Sequence, residues 1–172
     1  MHFRLLIQIF NLFRQPVNEA KPGDLIEIPG NIYTHWALYI GHGDVVHLTS
    51  DGASGGVSFR FSSSTNVAVI KREPLTEATR GDPCYVNNRS DTMFDASPVD
   101  EIINKAKQSI GRKVYYNLLK QNCEHFVNAL RYGKVISYQA NDANLVIGVG
   151  SIAIAAVMAI LAFLWIVGRY LK

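Results

Sequence analysis

The clearest short-range pattern is Val57-Ser58-Phe59-Arg60-Phe61, which alternates strictly between apolar and polar side chains. A period of two is that of a strand with one buried face. Other short apolar runs bounded by turn residues read the same way. Residues 25–28 follow the turn chemistry of Lys21-Pro22-Gly23-Asp24 and are broken by Pro29-Gly30. Residues 35–40 are rich in aromatic and β-favouring side chains. Gly41-His42-Gly43-Asp44 is a turn and residues 45–49 are the return strand, so this stretch predicts a hairpin. Residues 67–70 and Tyr85-Val86 complete the set of strands. Residues 51–56 and 76–83 read as loops.

The period then changes. Ser97 suits a helix cap and Pro98 the first helical position, with Asp100 and Glu101 complementing the dipole. Val99, Ile102, Ile103, Ala106 and Ile110 keep one apolar face, and Gly111 stops the helix. A second helix is predicted from near Asn122 to about Tyr132, with Phe126, Val127 and Leu130 inward and Gly133 as the stop. Strands first and helices second predict an α+β fold, an antiparallel sheet with helices on one side.

The two ends differ from the middle. No charged residue occurs from 143 to 168, and residues 145–167 are almost all apolar. A helix of that length reaches roughly 35 Å, enough for a hydrocarbon core of about 30 Å. Trp165 and Tyr170 fall near its far end, where aromatics favour the interface. Gly148, Gly150, Ser151 and Ala155 form a small-residue face for helix packing. This predicts a single-pass tail anchor in an intracellular membrane, with the preceding domain in the cytosol. At the other end, Phe3, Leu5, Leu6, Ile7, Ile9, Phe10, Leu12 and Phe13 form a run too short to span. It fits an interfacial amphipathic helix or a core helix, ended by Pro16. The expected organisation is residues 1–19 as an apolar N-terminal segment, 20–140 as one folded domain and 141–172 as the anchor.

Composition narrows the function. The 172 residues carry a net charge of +3 and no Lys/Arg run, which argues against a nucleic-acid partner. The two cysteines, Cys84 and Cys123, make no disulfide framework, and free cytosolic thiols are the simplest reading.

The chemistry then centres on Cys123. It lies at the expected start of a helix, where free N–H groups and the dipole favour a thiolate and lower its pKa. A thiol nucleophile needs a base and a group that orients the base. His35 and His47, on the two hairpin strands, are the candidates. They share a sheet face only if His47 lies opposite Ala37, which requires an odd loop or a bulge at Gly41-His42-Gly43. Taken singly, a helical cysteine is more often a small buried hydrophobe, and a strand histidine is more often structural. His125 points to a different helical face from Cys123 and reads as structural, and His42 reads as a solvated turn residue. No paired ligand spacing supports a metal site, and no glycine-rich phosphate loop is present.

Asn122-Cys123-Glu124-His125-Phe126-Val127, followed by Leu130-Arg131-Tyr132-Gly133, resembles the signature of the lecithin retinol acyltransferase family. Lys21-Pro22-Gly23-Asp24-Leu25-Ile26-Glu27, His35-Trp36-Ala37-Leu38-Tyr39-Ile40-Gly41, Val45-Val46-His47-Leu48 and Tyr85-Val86-Asn87-Asn88 resemble other family segments. The phospholipase A and acyltransferase subgroup is the most similar. The resemblance implies a circularly permuted papain-like fold of the cell-wall peptidase type. It implies Cys123 as nucleophile, His35 as base, His47 as orienting partner and Tyr33 as support for the oxyanion. It implies no metal or other cofactor. The implied reaction is calcium-independent. An sn-1 or sn-2 acyl chain leaves a glycerophospholipid as a thioester, then passes to water, to the amine of phosphatidylethanolamine or to a lysophospholipid. Alternatives are a cysteine peptidase or amidase of the same fold, a retinol-esterifying enzyme, and a membrane-anchored, non-catalytic interaction protein.

Overall fold

The computed structural model describes residues 14–30, 34–50, 67–115, 122–138 and 140–141. The N-terminal run 1–13, Tyr33, the alternating stretch 57–61 and the expected span 145–167 lie outside the described residues. Among the described residues, no helix is long and apolar enough to cross a membrane.

Seven strands form one sheet among the described residues, and all six neighbouring pairs are antiparallel. In chain order they are β1 (Gln15–Pro16), β2 (Leu25–Pro29), β3 (Thr34–Gly41), β4 (Asp44–Ser50), β5 (Val67–Pro74), β6 (Tyr85–Val86) and β7 (Lys113–Tyr115). Across the sheet the order is β1-β6-β2-β3-β4-β5-β7. Among the described residues, the sheet is accompanied by the α-helices α1 (Leu75–Thr79), α2 (Val99–Ser109) and α3 (Cys123–Tyr132).

Each face of the sheet carries its own apolar cluster. Leu25, Trp36, Leu38, Val46 and Leu48 pack with Ile102 and Ala106 of α2 and with Val127 and Leu130 of α3. On the other face Ile26, Ile28, Ala37, Val45 and Val86 pack with Ala78 and Leu75 of α1. This alternation is the period-two pattern made physical. Arg131 clamps α3 to the sheet: its Nη1 donates to the Gly23 carbonyl at 2.7 Å and its Nη2 to Asp91 at 2.8 Å.

The mixed class, the antiparallel sheet and the two longer helices match the sequence pattern; several details differ, the strand β1 at Gln15–Pro16 among them. Residues 75–79, expected largely as loop, form α1, so helices cover both faces of the sheet rather than one. The cap position of α2 is Pro98, with no side-chain cap bond, rather than Ser97. Strand β5 runs on from residue 70 to Pro74. The short β7 was not foreseen: Lys113–Tyr115 owes its strand to pairing with Val67–Val69 rather than to its own pattern.

Candidate active site

The start of α3 is held by a closed polar network. The Asn122 side chain accepts from the His125 N–H at 2.9 Å, and His125 Nδ1 accepts from the Asn122 N–H at 3.2 Å. This reciprocal capping box satisfies donors that a helix start leaves open. Asn122 also donates to Ser137 Oγ at 2.9 Å, and Ser137 donates to Glu124 at 2.5 Å. Glu124, itself buried, receives Arg89 on its other oxygen at 2.5 Å. Cys123, the first residue of α3, is therefore fixed from both sides along the chain.

The hairpin supplies the histidines. Tyr39 pairs with Val45, but Gly41 pairs with Asp44, so a bulge at Ile40 shifts the register by one residue. Gly41, His42 and Gly43 all carry positive φ, which glycine at 41 and 43 adopts freely. The shift sets His47 opposite Ala37 and puts both imidazoles on the same face. His35 Nε2 lies 2.9 Å from His47 Nδ1, and the rings meet edge to face. His47 Nε2 then meets Glu73 Oε2 at 3.2 Å. Glu73 pairs with Val45, so it lies diagonal to His47 on that face. Three neighbouring strands thus hold a buried row: His35, His47, Glu73.

Cys123 approaches this row through the sheet. By alternation, the histidines share the face of Ala37 and Val45, whereas Cys123 packs with Trp36 and Leu38 on the other. Among the described residues, the β3–β4 ladder ends at Ala37–His47, although β4 continues along β5 to Ser50. Tyr39 exchanges backbone bonds with Gly23 and Asp24 on the β2 side. The amides of Thr34 and Trp36 therefore face the β4 side, where the ladder has opened. The Cys123 thiol fills that seam. The thiol donates to the Thr34 carbonyl at 3.7 Å, and the neighbouring Trp36 N–H favours the charged form of the sulfur. The sulfur is seated between the two chain neighbours of His35.

Burial favours the uncharged forms of the thiol and of both imidazoles. Burial pushes the Cys123 thiol up to about 12. The N–H groups of Trp36, Glu124 and Cys123 oppose this, the Glu124 carboxylate adds to it, and burial wins. The lowered thiol pKa expected of a helix start is thus corrected: the site's near-complete exclusion of water outweighs the dipole. Burial lowers His35 to about 3, with His47 adding to the shift. His47 is lowered too, chiefly by burial and against the pull of Glu73. His35 Nδ1 is buried and has no hydrogen-bond partner among the described residues.

Of the expected site residues, His35 and His47 meet ring to ring, Cys123 is seated at the Thr34 carbonyl beside His35, and Tyr33 lies outside the described residues. His42 is an exposed turn residue and His125 serves the helix cap. Both cysteines are free. Glu73 was missed. Its signal was present as period two along β5, which puts Glu73 on the face of Lys71, the partner of His47.

The family model for lecithin retinol acyltransferase matches residues 18–136. The chain belongs to the lecithin retinol acyltransferase family. Within this family it is similar to human phospholipase A and acyltransferase 4, 46% identical over 79% of this chain and 84% of that one. Human phospholipase A and acyltransferase 3 is 42% identical over 86% and 92% of the two chains. Rat phospholipase A and acyltransferase 1 is 41% identical over 86% of each. The family expected from the Asn122–Gly133 signature is therefore the family found.

Proposed function

We propose that this chain is a calcium-independent phospholipase A1/A2 and phospholipid acyltransferase, with Cys123 as nucleophile, His35 as base and His47 as the group that orients it. The observation that carries this reading is the seam: the Cys123 sulfur is seated at the backbone on either side of His35, whose Nδ1 is buried and has no hydrogen-bond partner among the described residues. The names of the similar phospholipases and acyltransferases favour a lipid acyl group over a peptide.

The thiol is neutral at rest, so deprotonation accompanies attack. The S–H proton passes to His35 Nδ1 as sulfur bonds to the ester carbonyl carbon of a glycerophospholipid. The tetrahedral oxyanion collapses, the C–O bond breaks, and His35 returns its proton to the departing lysophospholipid oxygen. An acyl-thioester remains on Cys123. Water, the amine of phosphatidylethanolamine or a lysophospholipid hydroxyl then attacks the thioester carbonyl, giving its proton to His35; the C–S bond breaks and His35 returns the proton to the sulfur. A dry site favours transfer to a placed acceptor over hydrolysis. Tyr33 supports the oxyanion in this scheme. The fold behind it is the circularly permuted papain-like one. Residues 145–167 anchor the domain in an intracellular membrane, with the site on the cytosolic side; an uncharged run of that length supports this.

The test is release of fatty acid and formation of N-acyl lipid from mixed phosphatidylcholine–phosphatidylethanolamine vesicles, with a calcium chelator present. Wild type should turn over. Cys123→Ser and His35→Gln should each lose more than about 1,000-fold. A wild-type chain that releases nothing, or a Cys123→Ser chain that keeps its rate, contradicts the proposal.

A further inference from the structure

We infer that Glu73 is a positioning residue of this site, setting through His47 the ring nitrogen at which His35 takes up the thiol proton. The inference rests on the acyl-transfer reading above and extends it by one residue, from a third strand.

The argument is a count of protons along the row. A neutral imidazole carries one N–H and one lone pair. Both rings are buried, and burial disfavours a charge on either of them. The Glu73 carboxylate can only accept, so the His47 nitrogen 3.2 Å from it, Nε2, carries the hydrogen. His47 Nδ1 then holds a lone pair. It faces His35 Nε2 at 2.9 Å, so that nitrogen must be the donor. His35 Nδ1 is left with its lone pair, and this is the buried atom that has no hydrogen-bond partner among the described residues. It is also the nitrogen nearer the ring's attachment point and hence nearer the backbone at which Cys123 is seated.

Without an acceptor at Glu73 the row can reverse. His47 would then carry its hydrogen on Nδ1 and donate it to His35 Nε2. His35 would carry its own hydrogen on Nδ1 and could not accept the thiol proton. The carboxylate is well placed for the role. It is buried, it lies on the same sheet face as both rings, and the β4–β5 ladder runs unbroken from Asp44–Pro74 to Ser50–Ala68. Lys71, directly opposite His47, adds a positive charge nearby that further disfavours a charged His47.

Ring tautomers can be read without substrate, from two-bond proton–nitrogen correlation spectra of the full-length chain in detergent micelles. Wild type should show both His35 and His47 protonated at Nε2. Glu73→Leu removes the acceptor at similar volume; it should move His47, and His35 with it, towards the Nδ1-protonated forms. On phosphatidylcholine vesicles its kcat should fall roughly 10- to 100-fold with KM within about twofold. Glu73→Gln keeps an accepting oxygen and should retain more of the wild-type tautomers and rate. A wild-type His47 protonated at Nδ1 overturns the inference, as does a Glu73→Leu chain whose tautomers are unchanged. Either result leaves the acyl-transfer reading standing. That reading fails on a different observation, a wild-type chain that is inert towards phospholipid.

Discussion

Ala37 lies directly opposite His47, and this one pairing places the two imidazoles within hydrogen-bonding distance. Without the bulge at Ile40, His47 would oppose Leu38 and face the α3 side of the sheet. The register is set at Gly41, whose φ of 93° suits glycine and strains other residues. A Cβ there would also meet the Pro22 ring at 3.3 Å. Gly41→Ala should therefore cost about 1–3 kcal/mol, read as a lower urea midpoint at unchanged slope. Activity should fall with it. An unchanged midpoint would show that the turn tolerates the side chain and that other contacts fix the register.

The buried thiol gives a second expectation. At neutral pH Cys123 should be a thiol, because burial outweighs the N–H groups around it. Ultraviolet thiolate absorbance, taken as the difference between wild type and Cys123→Ser, should not titrate below about pH 9. A transition near neutrality would mean that the free enzyme holds a thiolate–imidazolium pair.

His35 couples the site to stability. Its folded pKa is about 3, against an ordinary value of 6.5. Below pH 6.5 the unfolded chain takes up a proton that the folded chain refuses. Wild type should therefore lose stability as pH falls from 6.5 towards 3, more steeply than His35→Gln does. Urea midpoints across that window compare the two. Parallel pH profiles would contradict a neutral, buried His35.

The network under Cys123 predicts a cost for breaking it. Glu124 is buried and joined to Arg89 and Ser137. Glu124→Ala strands the Arg89 charge and should destabilise by about 3 kcal/mol. Adding Arg89→Ala should restore part of that loss rather than add to it. Strict additivity would show that the pair is not energetically joined.

Much of this site is legible in the sequence, for local reasons. Asn122 and Gly133 bracket α3 because capping chemistry depends on near neighbours, and both ends fall where the sequence puts them. The need for an offset hairpin followed from strand parity alone. What escaped was tertiary. The strand expected over residues 67–70 stops short of Lys71-Arg72-Glu73, yet pairing with β4 carries it on to Pro74. The thiol pKa depends on how much water the other elements exclude, which no local pattern encodes. The histidines were expected to share a face, and they do. That Cys123 would sit at the Thr34 carbonyl beside His35, from the opposite face, depends on where β3 and β4 part.

The central claim is that an acyl group passes through Cys123. Mass spectrometry of the full-length chain after brief incubation with phosphatidylcholine vesicles tests this most directly. The account predicts an added fatty-acyl mass on the peptide that carries Cys123, labile to hydroxylamine and absent from Cys123→Ser. Active turnover of phospholipid with no acyl mass on that peptide would contradict it.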